Sequence, residues 1–238
     1  MKRIFVVMAV LVAVTLIGIG VASATIVGSK HDLSSTSAAT THATTTTLSA
    51  CQFCHTPHLG SNTVVTGAPL WNRAISAAGS YNAGDGTTQY QVYGAATAGV
   101  AGTTLSNTAV NEPGPNSKTC LSCHDGVLSI GDVLVGTDAT AFVGNTVSAT
   151  DGRLSTSAIT NLGTDLNQEH PVGFTVDVAK AGLDTLANMV TDGAKFYGAS
   201  SNRMECATCH DPHMTDAGKQ PFLRMVKASM CTDCHITK

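Results

Sequence analysis

The sequence has few charged residues and few aromatic ones. Asp, Glu, Lys and Arg make up 12% of the 238 residues, about half the usual share in soluble domains. Aromatic residues make up 5%. Ordering each residue costs roughly 1–2 kcal/mol of backbone entropy, and the chain has few large side chains to offset that cost. We therefore expect bound groups to supply much of the buried surface, and we expect the chain not to fold without them.

The chain also lacks a surplus of positive charge. Its formal net charge is -3 at pH 7. Domains that bind nucleic acid have clustered Lys and Arg residues that meet the phosphates. Nucleic acid is therefore not an expected partner.

No cysteine is left over for a disulfide or a free thiol. In an exported chain an even number of cysteines would first suggest disulfides, but here all eight form C-x-x-C pairs, and a histidine follows each pair directly. The cysteines are Cys51, Cys54, Cys120, Cys123, Cys206, Cys209, Cys231 and Cys234, and the histidines are His55, His124, His210 and His235.

C-x-x-C-H is the attachment sequence of c-type haem. The two thiols bond to the two vinyl groups along one porphyrin edge, and the histidine becomes the proximal ligand of the iron. Zinc sites built from C-x-x-C pairs have no need of the histidine, and thioredoxin-like redox chemistry uses one pair in a βαβ unit. The four motifs therefore predict four covalently bound haems.

A sixth ligand for each iron must come from elsewhere in the sequence. Five histidines lie outside the four motifs, one more than bis-histidine ligation of four haems requires. Methionine is the other common axial ligand in cytochromes c and raises the reduction potential. The alternative ligands on this basis are Met189, Met204, Met214, Met225 and Met230.

A repeated pattern favours histidine. The first motif continues as Thr-Pro-His and the third as Asp-Pro-His; each is followed by a Pro-apolar-Arg segment and then by a plain C-x-x-C-H. One further histidine precedes each long motif. This order predicts an internal duplication with two haems in each half. The predicted distal ligands are His31, His58, His170 and His213, and His42 is interpreted as an exposed loop residue.

The short spacing within each long motif limits which iron the second histidine can bind. Three residues advance a helix by only about 4.5 Å, whereas the sixth ligand must approach from the opposite face of the porphyrin. His58 therefore cannot bind the iron held by His55, and His213 cannot bind the iron held by His210. Each must ligate a neighbouring haem, which predicts closely spaced irons suited to electron hopping.

The N-terminus carries a targeting signal. Lys2 and Arg3 precede an apolar or small run over residues 4–22, and Ala22-Ser23-Ala24 is typical of a cleavage site. We predict a signal peptide over residues 1–24, with an uncleaved membrane anchor as the alternative. Both place the chain outside the cytoplasm, either extracellular or at the cell surface, or else in the periplasm.

The remaining chain divides into three segments: a Thr-rich arm over residues 25–50, a first dihaem half over 51–150 and a second over 151–238. We expect mostly irregular coil with short helices and few strands, wrapped around the four haems. Short helical turns are expected at each C-x-x-C-H. A helix is predicted over 177–190, and a short strand within 127–135. The three Asp-Gly pairs, which begin at Asp85, Asp125 and Asp151, predict turns.

These motifs resemble those of bis-histidine multihaem cytochromes, and most of all the OmcE-type tetrahaem cytochromes of extracellular nanowire filaments. The resemblance is carried by residues 30–33, 51–58, 69–72, 120–126, 170–174 and 206–213. It implies histidine on both faces of every iron and haems that stack continuously from one subunit to the next. It also implies that a histidine of the arm, His31 first, can complete a haem in a neighbouring subunit. His42 and the Thr-rich arm depart from the family pattern.

We therefore expect an electron-transfer protein rather than an enzyme, with copies of itself and other cytochromes or an extracellular acceptor as partners. A soluble periplasmic shuttle is the main alternative. A membrane-anchored quinol dehydrogenase is disfavoured because its haem motifs are usually packed more closely in sequence. A haem reductase is disfavoured because it needs an iron with an open position, and the histidines suffice to close all four.

Overall fold

The computed structural model describes residues 26–58, 70–74, 91–92, 113–144, 146–166, 169–179, 182–214, 219 and 221–236. The expected leader over residues 1–24 and the Asp85-Gly86 turn lie outside these ranges. Among the residues that are described, none belongs to a helix long and apolar enough to cross a membrane.

Most of the described chain is coil and turn, with short helices and very short strands. The helices are α1 (Pro115–His124), α2 (Leu186–Thr191) and α3 (Cys206–Cys209). The strands are β1 (His42–Ala43), β2 (Gln91–Val92), β3 (Phe142–Val143), β4 (Asp165–Leu166), β5 (Phe174–Thr175) and β6 (Arg203–Met204). The expectation of a coil-rich fold is confirmed.

The strands form three separate two-stranded pairs. β1 and β3 are antiparallel, with His42 opposite Val143. β2 and β4 are parallel, and β5 and β6 are antiparallel with Phe174 opposite Met204. The β1–β3 pair joins the N-terminal arm to the first predicted dihaem half, and β2–β4 joins the first half to the second. The predicted segments are therefore interlocked by backbone pairing.

Helix α1 presents the second C-x-x-C-H motif. Pro115 occupies its first turn, where the missing N–H costs nothing. The helix ends at Asp125, and Gly126 follows with φ of 68°, a conformation that glycine adopts without strain. Motif two therefore lies in the last turns of a helix that proline begins and glycine ends. The Asp125-Gly126 and Asp151-Gly152 turns are both present, and Gly152 has φ of 70°.

Among the described residues, apolar side chains form four small clusters rather than one core. The largest contains Phe174, Met189, Phe196 and Met225 and packs against Cys209 and Cys234 of the third and fourth motifs. A second contains Ala43, Leu48 and Phe53 and joins the arm to the first motif. The other two are centred on Leu121 with Leu166, and on Ile130 with Val147 and Leu154. Each cluster lies close to a C-x-x-C-H motif, as expected where the motif carries a large bound group.

Two of the local predictions differ from the structure. The predicted helix over 177–190 forms only from Leu186, because the Thr185 side chain accepts a hydrogen bond from the Asn188 N–H and caps it there. Residues before this point pair instead with the fourth motif, where Leu183 bridges His235 and the Asp184 N–H bonds to Cys234. The pairing of residues 183–184 with motif four overrides the helical periodicity.

The predicted strand within 127–135 is also wrong. This segment is a series of turns and bends. Its carbonyl groups at Ser129, Ile130 and Asp132 accept hydrogen bonds from the Arg73 guanidinium. The Asn72 backbone carbonyl accepts a hydrogen bond from the Leu134 N–H, and the Asn72 side-chain oxygen accepts one from the Val135 N–H. Polar groups of residues 72 and 73 thus take the place of a neighbouring strand.

Candidate haem-binding sites

The eight cysteines are unpaired thiols held in short helices and turns. All eight are free. Motif two ends helix α1, motif three forms helix α3, and motifs one and four are tight turns in which the histidine N–H bonds to the first cysteine's carbonyl. The expectation of helical turns at the motifs is confirmed. Within the described residues, no three His, Cys, Asp or Glu side chains are grouped as a structural zinc site would require.

The first and third motifs are held by two matching straps, residues 70–73 and residues 222–225. Leu70 and Phe222 open the straps, and both have φ of 56°, an unusual value for non-glycine residues. The Leu70 carbonyl accepts a hydrogen bond from the Thr56 N–H at 2.9 Å, and the Phe222 carbonyl accepts one from the Asp211 N–H at 2.7 Å. The two long motifs therefore share one backbone arrangement, which supports the predicted duplication.

The next contacts of the straps also match. The backbone N–H groups of Asn72 and Arg224 bond to the carbonyl of the second cysteine in their motif, at 2.9 and 2.8 Å. The Asn72 amide donates to the Gln52 carbonyl at 2.7 Å, and Arg224 Nε donates to the Ala207 carbonyl at 2.8 Å. Gln52 and Ala207 both follow the first cysteine of their motifs. Asparagine and arginine thus bind the same carbonyl in the two halves.

This correspondence corrects the Pro-apolar-Arg pattern. Sequence pattern matched Arg73 with Arg224, but Arg224 corresponds to Asn72 in the structure. Arg73 is 1% exposed and donates to the backbone carbonyls of Ser122, Ser129, Ile130 and Asp132. It therefore joins the strap of the first motif to the turns that follow the second motif.

Two proximal histidines are oriented for ligation through Nε2. His124 Nδ1 lies 2.8 Å from the Thr160 carbonyl, and His210 Nδ1 lies 3.3 Å from the Pro221 carbonyl. A carbonyl can only accept, so Nδ1 carries the proton in each ring. The lone pair is then on Nε2, the arrangement that metal-binding histidines usually adopt.

Two of the predicted distal histidines lie opposite proximal ones. The ring centres of His31 and His124 are 6.1 Å apart, with the rings inclined at 77°. Those of His55 and His213 are 6.2 Å apart, inclined at 16°. Two imidazoles on opposite sides of one metal, each about 2 Å from it, have ring centres roughly 6 Å apart. Both pairs therefore have the spacing of axial ligands that share an iron.

Unpartnered buried atoms beside these pairs also fit a bound haem. His31 Nδ1 and Trp71 Nε1 are buried without a hydrogen-bond partner among the described residues. The ring centres of Trp71 and His55 are 5.7 Å apart. Buried polar atoms without partners are rare in folded proteins, and these two lie beside the histidine pairs, where a bound haem would fit. The residues present therefore fit haem at the first and second motifs.

Burial keeps these imidazoles in the neutral form that binds metals. Burial, followed by the neighbouring His124, lowers the pKa of His31 to about 4. Burial also lowers the pKa of His124 and that of His210, although the hydrogen bonds to Thr160 and Pro221 act in the opposite direction. A protonated imidazole has no lone pair for a metal, so the environment favours the ligating state.

The other two predicted distal ligands are exposed. His58 ends the extension of the first motif, and His170 Nδ1 lies 3.0 Å from the Pro171 carbonyl. Neither ring is stacked on a second histidine in the described part of the chain. His42 is half-buried in β1, with Nδ1 2.7 Å from the Ala39 carbonyl, so its interpretation as an exposed loop residue is wrong. The His42 ring is hydrogen-bonded to the short turn that leads into β1.

Three of the five alternative methionine ligands have a packing role. Met189 and Met225 are each 1% exposed, and Met204 is 6% exposed. All three belong to the largest apolar cluster. Their burial among aliphatic and aromatic neighbours explains their presence without ligation.

Cysteines of successive motifs lie next to one another. The neighbouring pairs are Cys54 with Cys123, Cys120 with Cys206, and Cys209 with Cys234. Burial raises the pKa of Cys54 to about 12 and that of Cys209 to about 11, and the neighbouring thiol adds to each shift. Between the second and third motifs, helices α1 and α3 pack directly on each other. The four attachment sites thus follow one another in space as they do in sequence.

Glu205 is a site residue that sequence analysis missed. It is 1% exposed and accepts hydrogen bonds from the Gly114 N–H at 2.9 Å, from the Ser117 hydroxyl and from Arg203 Nε at 2.7 Å. It also caps α3 by a reciprocal pair of bonds with Thr208. The sequence signal was Glu immediately before Cys206 with Thr three residues later, a reversed form of the capping box. Glu205 links the helices that carry motifs two and three.

Comparison with known proteins agrees with the third and fourth motifs. A family model described as a doubled CXXCH motif matches residues 199–238, which contain the third and fourth motifs. No curated protein matches the chain. The match supports covalent binding of haem c and electron transfer by a multihaem c-type cytochrome.

Proposed function

We propose that this chain carries four c-type haems, each with histidine on both faces of its iron, and that it transfers electrons without catalysing a reaction. Haem supplies an iron that alternates between the ferric and ferrous states. The chain's own residues hold the porphyrins, close the iron coordination and exclude water. The observation that carries the proposal is the spacing of two histidine pairs, 6.1 Å for His31 with His124 and 6.2 Å for His55 with His213.

From the spacing of these pairs we infer two distal ligands. We number the haems one to four by the motif that attaches them. His213, from the extension of the third motif, serves haem one, in agreement with the argument that it cannot serve its own haem. His31, from the N-terminal arm, serves haem two. By the duplication, His170 serves haem four, and His58 remains for haem three.

We also propose that electrons pass through the haems in chain order. The support is the order of the thiols in space: Cys54 lies near Cys123, Cys120 is hydrogen-bonded to Cys206, and Cys209 lies near Cys234. Porphyrins attached to adjacent thiols have closely spaced edges, and electron tunnelling falls steeply with edge separation. No other cofactor is needed for such a path.

The first experiment counts the haems and tests their coordination. A denaturing gel stained for haem and intact mass spectrometry should show four covalent haems per chain. Carbon monoxide should bind the reduced, assembled protein poorly, because every iron is then closed by a second histidine. Rapid carbon monoxide binding in the unmodified protein would contradict bis-histidine ligation and favour a haem enzyme.

Electron paramagnetic resonance tests the assignment of the ligand pairs. Nearly parallel imidazoles act on the same iron d orbital and separate its energy from that of its partner orbital, whereas nearly perpendicular imidazoles leave the two close in energy. The 16° pair should therefore give a rhombic low-spin signal, and the 77° pair a strongly anisotropic one. His213→Met should remove the first signal, and His31→Met the second.

We propose further that the exported chain polymerises into an extracellular conductive filament. Its support is the resemblance to OmcE-type cytochromes, the low surface charge and exposed apolar side chains such as Ile159, which is 96% exposed. His31 lies against His124 of its own chain, so we assign the donation of a ligand to a neighbouring subunit to exposed His58. The iron held by His210 of another copy would receive it.

Electron microscopy of the purified haem-loaded protein distinguishes the filament from the alternative, a soluble periplasmic shuttle. Haem-positive filaments that are lost in His58→Ala would support the filament and the role of His58. Haem-positive monomers at every concentration would contradict the filament and favour the shuttle. His42→Ala is the matched control, because His42 is half-buried against Ala39 and should leave assembly unchanged.

A further inference from the structure

Asp211 lies beside the histidine assigned to haem one. Its Oδ1 is 3.3 Å from His213 Nδ1 and accepts the His213 backbone N–H at 3.0 Å. Its Oδ2 lies 3.0 Å from Arg224 Nη1. Asp211 is therefore a carboxylate that faces an imidazole with one oxygen and an arginine with the other.

Other histidines assigned to haem face neutral groups. His124, His210 and His170 each have Nδ1 against a backbone carbonyl. The repeat counterpart of Asp211 is Thr56, which is 4% exposed and whose hydroxyl donates to the His58 carbonyl at 2.7 Å. The two halves share their backbone but differ at this position in the presence of a carboxylate.

We propose that Asp211 is a positioning residue that lowers the reduction potential of haem one through His213. A carboxylate that accepts a hydrogen bond from Nδ1–H fixes the tautomer and makes the other ring nitrogen a stronger electron-pair donor to the iron. A stronger donor stabilises ferric iron relative to ferrous iron, and hydrogen bonding to the ligands is one of the levers that set haem potentials. This inference rests on the proposed function, since it requires haem one to be ligated by His213.

This difference between the two halves favours one direction of electron transfer along the chain. With Thr56 in place of the carboxylate, His58 lacks the strengthening that His213 receives. Haem one therefore has a lower reduction potential than the matching backbone of the two halves alone would give it. Asp211 therefore biases electrons away from haem one and toward haem three, whose assigned ligand His58 has Thr56 in place of the carboxylate.

The test is a redox titration of the full-length haem-loaded protein, with Asp211→Asn as the variant. Asparagine keeps an oxygen for both His213 contacts but removes the charge. One of the four haem components should move to higher potential, and the other three should stay in place. Arg224→Gln, which leaves the carboxylate without its cation, should move the same component to lower potential.

The same Asp211 substitution made in a His213→Met variant distinguishes an effect of Asp211 through His213 from a general effect of its charge. In His213→Met, Asp211→Asn should produce a much smaller shift than in the unmodified protein. An unchanged potential in Asp211→Asn, an equal shift of all four components, or a full shift that persists in His213→Met would each overturn the proposal. Haem counting is independent of these outcomes: a protein with four haems and no shift refutes only the role of Asp211, whereas a protein without haem refutes the proposed function.

Discussion

Replacing Glu205 with alanine should weaken the contacts between the helices that carry the second and third haem motifs. Glu205 is buried and joins helix α1, through Gly114 and Ser117, to helix α3, through Thr208. The Ser117 hydroxyl in turn accepts the Cys206 N–H at 2.9 Å. Alanine removes the acceptor at the centre of this network while leaving the donors buried.

The size of the effect follows from the donors that lose their partner. A buried donor left without an acceptor costs about 1–3 kcal/mol, and the Gly114 N–H and the Ser117 hydroxyl are two such donors. Loss of the cap on α3 costs about 1 kcal/mol more. Arg203 is 30% exposed, so water can replace its lost partner at little cost. We expect Glu205→Ala to lower the free energy of unfolding by about 3–7 kcal/mol.

The assay is guanidinium unfolding of the haem-loaded protein, followed by the haem absorption band and by circular dichroism. Glu205→Ala should shift the midpoint to lower denaturant with covalent haem unchanged. Asp151→Ala is the matched control, because Asp151 is an exposed carboxylate whose partner Arg153 is also exposed. Its midpoint should equal that of the unmodified protein. If the two variants have the same midpoint, the network does not hold the motifs together.

Three further substitutions test the site and the fold. His213→Ala should open one iron to carbon monoxide, and the binding should disappear when Cys51→Ser and Cys54→Ser remove haem one; binding that survives would refute the pairing. Arg73→Lys should lower the free energy of unfolding by about 2–3 kcal/mol, since one ammonium cannot reach the four carbonyls that the guanidinium binds; an unchanged denaturation midpoint would contradict this. Gly131→Ala should lower the thermal midpoint, because a Cβ there would overlap the Ala139 carbonyl oxygen; a thermal scan with no change would show that the backbone can move aside.

The local elements that the sequence predicted correctly depend on neighbours in the chain. The turns at Asp125-Gly126 and Asp151-Gly152 form because glycine takes the positive φ that each requires. The helical turns at the motifs form around short-range backbone bonds. The predictions at 127–135 and 177–190 were wrong because distant groups, those of Arg73 and of the fourth motif, took the hydrogen bonds that a strand or a longer helix would have used.

The two straps also show that sequence pattern does not determine the contacts of a single residue. Both contain an arginine, and sequence pattern matched Arg73 with Arg224. In the structure one is buried among carbonyls, and the other pairs with Asp211. Identical residue types therefore took different roles, since each role depends on which distant backbone or carboxylate lies within reach.

The sequence by itself determined the covalent chemistry of this protein. C-x-x-C-H places two thiols and an imidazole within five consecutive residues, so the candidate haem attachment sites could be identified without a fold. Only the tertiary structure decided that His31 faces His124, that His213 faces His55 and that Asp211 and Glu205 support them. Those contacts join residues far apart in the chain, and their geometry depends on how the arm, straps and helices pack rather than on spacing along the backbone.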